Sequence, residues 1–287
     1  MTSVLRSCNR RVAVIGGGPA GLIAYKRLVD AGVAPTLFSR NIGGMWNVKS
    51  NPFWPAMKTN LSSYTCRFSD QQWPPNTPLF PSQVEMNQYL DAYAAKHLKP
   101  ESTVLGCNVT HISTCVDGKY TVEWTDSAEM RKSEVFDDVV VTTGFFAKPS
   151  MKDYPGFKGR IIHSSQCTNP EEFAGRNVVV AGASFSAAEI ASDVATTANS
   201  VRSVVPRPAW IIPRFLPLYP DKPNTPFLPV DLMFYQLNPE KDTVEQRKES
   251  IFKQDKERAR TNSYMRMLLG PHHTDDVMAQ VQYSFES

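Results

Sequence analysis

An α/β fold with two parallel-sheet domains is what the 287-residue sequence predicts, on three observations. The apolar run Val12–Ile15 leads straight into Gly16-Gly17-Gly18-Pro19-Ala20-Gly21, where Gly16, Gly18 and Gly21 satisfy G-x-G-x-x-G. A related strand–glycine-turn–helix unit recurs at Val178–Val194. Between the two, a further apolar strand, Val139–Val141, runs into Thr142-Thr143-Gly144.

In the first unit each glycine has a task. Gly16 allows a tight turn out of the strand, Gly18 lets a phosphate approach the backbone without meeting a Cβ, and Gly21 lets the next helix lie close to the sheet. That helix is predicted from about Pro19, through Leu22, Ile23, Tyr25, Leu28 and Val29, to a glycine stop at Gly32. The unpaired N–H groups of its first turn, with roughly half a positive charge, would face a diphosphate. The plainer alternative is a glycine-rich turn with a structural purpose only. Strand, turn and helix fall where a nucleotide site needs them, which favours the nucleotide reading.

Pro35–Phe38 reads as the next strand. A dinucleotide site places an acidic residue near this point to bond a ribose hydroxyl, but here Ser39 stands there, followed by Arg40. Serine offers one such bond where a carboxylate offers two strong ones. Arg40 admits a second reading, as partner of a 2′-phosphate at this first site.

Gly43-Gly44-Met45-Trp46 then opens a proline- and aromatic-rich loop holding Phe53, Trp54, Phe68, Trp73 and Phe80. It is too long for a connector and is expected to line a site. Ser82-x-x-Glu85 is a capping box, predicting a helix through Val84, Tyr89, Leu90, Tyr93 and Leu98. Val109–Val116 and Tyr120–Trp124, joined through Asp117-Gly118, read as a hairpin.

In the second unit, Val178–Ala181 is a predicted buried strand, followed by the turn Gly182-Ala183-Ser184-Phe185-Ser186-Ala187. Ala188–Val194 begins a helix and Val201–Val205 is the next strand. Ser184 takes the place of the middle glycine. Beyond the next strand stands Arg207, a base where a site for NAD would place an acid. A guanidinium there suits the 2′-phosphate of NADP, the alternative being a solvated arginine at a strand end. Prolines recur from Pro206 to Pro229, predicting irregular extended chain, and Glu240–Arg260 reads as a charged, solvent-facing helix.

Bulk composition excludes several classes. The 31 basic and 28 acidic side chains leave a net charge of +3, too balanced for nucleic acid or an anionic membrane as the main partner. No apolar run approaches the roughly 20 residues of a membrane span. Met1–Arg11 holds arginines but no apolar core or cleavage site, so a cytoplasmic protein is expected. The five cysteines include no C-x-x-C pair, which fits a reducing compartment and counts against a dithiol reductase. Cys107, His111 and Cys115 share one face at four-residue spacing, but only His97 lies near as a fourth ligand, so no metal site is expected.

Two nucleotide units, the first followed by Gly-Gly-x-Trp, resemble the flavin-containing monooxygenase family of class B flavoprotein monooxygenases. Gly43–Trp46 is similar to that family's segment beside the flavin, and Trp54-Pro55-Ala56-Met57-Lys58-Thr59-Asn60 to its loop carrying an asparagine under the isoalloxazine. Thr142–Pro149 resembles the linker leaving the flavin domain. Phe157-Lys158-Gly159-Arg160-Ile161-Ile162-His163 matches the fingerprint F-x-G-x-x-x-H, and Arg207–Arg214 resembles the stretch after the NADPH site. Two residues depart from the pattern: Ser39 replaces the usual glutamate, and Cys167 stands where the fingerprint ends in an aromatic.

The resemblance implies two Rossmann-like dinucleotide-binding domains, with FAD in residues 1–150 and NADPH in 151–287, the latter extended from about residue 206 by proline-rich and helical chain. Family members return after the NADPH domain to complete the flavin domain, so that domain is expected to be incomplete within this sequence, with a second polypeptide as one source of the remainder. The implied activity reduces FAD with NADPH and passes one oxygen atom of dioxygen, through a flavin hydroperoxide, to a small organic substrate by N-, S- or carbon oxidation.

The residues implied for FAD are Gly16, Gly18, Pro19, Ala20, Gly21, Ser39, Arg40, Gly44, Met45, Trp46, Thr59, Asn60, Thr143 and Gly144; those for NADPH are Gly182, Ser184, Phe185, Ser186 and Arg207. Asn60 is the implied catalytic residue, because its amide donates and accepts without titrating; the alternative is an asparagine closing a turn. His163 is read as structural, packing between the two domains. A different class of function, a non-catalytic nucleotide-binding subunit that regulates or stabilises a partner, is the competing hypothesis.

Overall fold

The computed structural model describes residues 10–51, 53–54, 56–146, 148–182, 184–205, 212–219, 222 and 224–234. Their contacts divide the chain into two compact units. The first comprises the described chain up to Thr59 together with Arg67–Thr168; the second comprises Asn60–Cys66 and the described residues from Asn169 onward. The division thus falls after Thr168, where the sequence alone suggests one after residue 150, and it assigns Asn60 to the second unit.

The first unit opens with β1 (Arg11–Ile15), α1 (Pro19–Asp30) and β2 (Ala34–Ser39). After the aromatic loop come α2 (Gln83–His97), β3 (Thr103–Leu105), β4 (Asn108–Thr114), β5 (Tyr120–Thr125), β6 (Arg131–Phe136) and β7 (Asp138–Val141). One sheet has the order β3-β2-β1-β7, and all three pairings are parallel. This is the strand order of a doubly wound nucleotide fold. The predicted hairpin is present, and β6 extends it to a three-stranded antiparallel sheet.

The two faces of the parallel sheet explain why β1 reads as an unbroken apolar run. Ala13 and Ile15 face one way, with Phe38 of β2, and pack against Val122, Trp124 and Phe136 of the antiparallel sheet. Val14 and Leu37 face the other way and pack on Tyr25 of α1, with Ala24, Leu28 and Val29 around them. Both faces are covered, so alternation is erased from the sequence.

α2 is set by its capping box: Ser82 N–H donates to a Glu85 carboxylate oxygen at 2.7 Å while Glu85 N–H reaches Ser82 Oγ at 3.4 Å. Met86, Tyr89, Leu90, Tyr93 and Ala94 are buried, whereas Val84 in the first turn is 51% exposed. The aromatic loop spends its rings on this helix. Phe68 lies 4.2 Å from the Tyr93 ring, and Trp73 stacks on Tyr89 at 4.1 Å. Trp54 and Phe80 are buried as well, so much of the loop is core, a correction to the expectation that it lines a site.

His97 at the end of α2 rests on the Tyr93 ring at 4.4 Å, and its Nε2 is buried without a hydrogen-bond partner among the described residues. Burial, aided by the charge of Lys96, pushes its pKa below the usual histidine value. The unfolded chain therefore binds a proton more readily, and stability should fall as pH drops below about 6.5 toward the lower folded value. Urea midpoints between pH 7.5 and 5.5 test this: His97→Phe should flatten the slope, and an unchanged slope would remove His97 as its source.

The second unit contains β8 (Asn177–Ala181), α3 (Phe185–Val194) and β9 (Ser200–Val204), with β8 and β9 parallel. β8 was expected to be buried, yet Val179 is 58% exposed, because this sheet has two strands among the described residues. The proline-rich stretch is not wholly irregular: β10 (Phe215–Pro217) and β11 (Phe227–Pro229) pair antiparallel before α4 (Val230–Phe234). Asp231 of α4 is 2% exposed and accepts hydrogen bonds from Ser62 and Thr65 at 2.7 and 2.6 Å, which ties Asn60–Cys66 to this unit. The neighbouring Cys66 thiol is pushed up by burial and by the Asp231 charge. Arg207 and Glu240–Arg260 lie outside the described residues. No described helix is long and apolar enough to cross a membrane.

Candidate functional site

Four glycines converge where β1 ends. Gly16 has φ +116°, and a Cβ there would sit 2.5 Å from the Thr142 carbonyl oxygen, so both backbone and neighbour demand glycine. At Gly21 a Cβ would lie 1.8 Å from the Gly16 carbonyl oxygen and 2.8 Å from Thr142 Oγ1. Gly17 is equally constrained, with Ser39 Oγ 2.7 Å and the Asn41 carbonyl 2.8 Å from the same construction.

Gly18 differs. Its φ of −78° and ψ of −177° are open to any residue, and among the described residues a Cβ would meet only Gly44 Cα, at 3.6 Å. Neither conformation nor internal packing asks for glycine at that position. What remains is the space itself, at the N-cap of α1. No side chain caps this helix, and its first turn holds no acid. The amides there are thus oriented toward a site with a partial positive charge, suited to an anion.

Gly43 and Gly44 close the other side. Gly43 N–H donates to the Gly17 carbonyl at 2.9 Å, and Gly44, with φ +57°, stands close against Gly18 Cα. Met45 and Trp46 continue in a 3-10 turn, Gly44–Trp46, with Met45 42% exposed. Thr142, which sequence reasoning passed over, donates from Oγ1 to the Ile15 carbonyl at 2.8 Å and also reaches that of Gly16. Only the pairing of β7 with β1 brings it there. Thr143 and Gly144 follow β7 and are exposed.

Ser39 at the end of β2 is half-buried and engaged within the protein, while Arg40 beside it is exposed. Thr59 is buried and its N–H donates to the Pro81 carbonyl at 2.8 Å. Asn60 is exposed and groups with the second unit. His163 accepts from the Ser165 N–H through Nδ1 at 3.2 Å and so caps the turn Ser164–Gln166, a local structural role.

The second turn repeats the logic. Gly182 has φ +145°, with 3.4 Å between its constructed Cβ and that of Ala187. Ser184 is the N-cap of α3, in an extended conformation, but its hydroxyl makes no capping bond, and the first turn again lacks an acid. Phe185 is 70% exposed, and Ser184 and Ser186 are exposed beside it. Among the described residues no group of three or more His, Cys, Asp or Glu side chains is arranged to hold a metal ion.

Comparison with known proteins places these turns in a family. Residues 9–222 match the family model described as FMO-like, flavin-binding monooxygenase-like. Human flavin-containing monooxygenase 5 is 33% identical over 225 residues, 72% of this chain and 42% of that protein. Flavin-containing monooxygenase ustF1 of Aspergillus flavus is 32% identical over 210 residues, 67% of this chain and 52% of that one. The chain thus spans about half the length of the curated relatives it matches. Among solved structures, S-allyl-L-cysteine S-oxygenase from Allium sativum superposes with a TM-score of 0.62 at 28% identity, over 68% of this chain and 51% of that one. A flavin-containing monooxygenase from Stenotrophomonas maltophilia superposes at TM-score 0.60 and 23% identity, over 69% and 58% of the two chains, a likeness of fold. With the family model covering most of its length and its glycine turns shaped as described, this chain belongs to the flavin-binding monooxygenase-like family.

Proposed function

We propose that this chain forms the nucleotide-binding part of an FAD- and NADPH-dependent monooxygenase that transfers one oxygen atom of dioxygen to a small organic substrate. The observation that carries the reading is Gly18, the one glycine of the first motif left unexplained by the fold's own packing. A diphosphate approaching the N-terminus of α1 explains it. Family membership and the relatives' names point the same way.

In this reading FAD occupies residues 1–150. The backbone amides of Gly18, Ala20 and Gly21 at the N-terminus of α1 face its diphosphate, while Gly16 shapes the turn and Pro19, without an N–H, starts the helix. Gly44, Met45, Trp46, Thr59, Thr143 and Gly144 border the remainder, and Arg40 lies near the adenosine end. NADPH belongs to residues 151–287, with Gly182, Ser184, Phe185 and Ser186 at its diphosphate and Arg207 at its 2′-phosphate. When bound, the flavin supplies the redox chemistry that the side chains lack. The chain's own part is to orient and to exclude water. Asn60 is the proposed catalytic residue, its carboxamide able to donate and accept at the reacting oxygen without titrating.

Gly18→Ala tests the reading. The variant should fold like the parent, with a melting temperature within about 2 °C, because its Cβ meets only ordinary contacts. Its Kd for FAD, followed by flavin fluorescence with any co-purifying chain left in place, should rise at least ~10-fold. Equal FAD affinity in parent and variant, or a parent that takes up no FAD, would overturn the proposal and favour a subunit without flavin chemistry.

A further inference from the structure

The hydroxyl of Ser39 is already occupied. Its single proton goes to the Asn41 carbonyl, at 2.7 Å, and its oxygen accepts the Gly17 N–H at 2.9 Å. Gly17 in turn accepts from Gly43 N–H through its carbonyl at 2.9 Å, and Gly16 N–H donates to the Phe38 carbonyl at 2.8 Å. The glycine turn is therefore stitched along the end of β2, and Ser39 is one of the stitches.

The same contact accounts for Gly17. The motif leaves that position open, yet here a Cβ would lie 2.7 Å from Ser39 Oγ and 2.8 Å from the Asn41 oxygen. Glycine at 17 and serine at 39 are thus two halves of one local solution. A serine has one donor hydrogen and two lone pairs, so a single neutral lone pair is all that Ser39 still offers. A ribose hydroxyl arriving at this end of β2 meets no carboxylate and no free donor from residue 39.

We propose that Ser39 is a positioning residue, which holds the diphosphate-facing turn through Gly17, and that the first site therefore takes ADP-containing ligands with little regard for the ribose 2′-hydroxyl. This rests on the nucleotide reading above and corrects the sequence-based expectation that Ser39 bonds the ribose.

The experiment is a titration of the full chain with ADP and with 2′-deoxy-ADP, followed at the amide resonances of Gly16–Gly21, so that the first site alone is read. In the parent the two ligands should bind within ~2-fold of each other, where a lost ribose hydrogen bond to the protein would cost up to ~10-fold. That comparison needs no variant. In Ser39→Ala both affinities should fall together by ~5-fold with their ratio unchanged, and the Gly17 amide should exchange with solvent at least ~10-fold faster. A 10-fold weaker 2′-deoxy-ADP in the parent, equalised in Ser39→Ala, would assign Ser39 to the ribose and overturn the inference. So would Ser39→Ala with unchanged affinities and Gly17 exchange. If ADP shifts none of the Gly16–Gly21 amides, the nucleotide reading itself falls, and this inference with it.

Discussion

Gly21→Ala is expected to cost the first unit at least ~3 kcal/mol of stability, the upper end of what overpacking does. Alanine would ordinarily favour a helix over glycine by about 1 kcal/mol, so the sign is set by space rather than by propensity. The new methyl would stand 1.8 Å from the Gly16 carbonyl oxygen and 2.9 Å from its carbon, both backbone atoms that no rotamer change can move. α1 must then lift away from the sheet, and Leu22 and Tyr25, at 1% and 0% exposure, lose their seats. Thermal unfolding by circular dichroism should show the midpoint falling by roughly 6–12 °C. A shift under about 2 °C would mean that α1 does not lie on the turn as described. Set beside Gly18→Ala, the pair separates two reasons for a glycine: one makes room for the helix, the other for a ligand.

The second large effect is expected at Phe38. Its ring is 1% exposed, 4.7 Å from Trp124 and 5.7 Å edge-on from Phe136. It is the residue through which β2 joins the antiparallel sheet to the parallel one. Phe38→Ala should cost about 3–5 kcal/mol, from lost apolar burial plus the cavity left between two rigid sheets. Phe38→Leu, which refills part of the space, should recover more than half of that. Guanidinium unfolding followed by Trp124 fluorescence measures both, and a loss below about 1 kcal/mol for the alanine would show that the two sheets hold together without this ring. Since β2 also carries Ser39 and ends beside Gly17, nucleotide binding should weaken in parallel with stability in the alanine variant.

Much of this molecule is legible in its residues, for reasons that differ by element. α2 was readable because Ser82 and Glu85 satisfy each other within one turn, and the hairpin because Asp117-Gly118 is a local turn signal. The glycine turns were readable because positive φ at Gly16 and Gly182 is written into residue type. β6 is not legible in the residues: Arg131–Glu134 is polar, Lys132 and Glu134 stand on the same face as buried Phe136, and the strand forms against β5. The place of the aromatic loop is not legible in its residues, since nothing local distinguishes a tryptophan that lines a site from one, like Trp73, that stacks on Tyr89.

Residue type alone carries the local commitments: which runs become strands, which glycines turn, where two helices begin with bare amides, and to which family the order of these motifs belongs. Tertiary structure alone decided how distant residues use one another. Thr142 reaches Gly16 across 126 positions, Ser39 spends its hydroxyl on Gly17 across 22, and Asp231 gathers Ser62 across 169. Hydrogen bonds of that kind depend on register and approach between elements, which residue type does not encode, so serine 39 reads as a poor substitute for an acid until the turn it holds is seen.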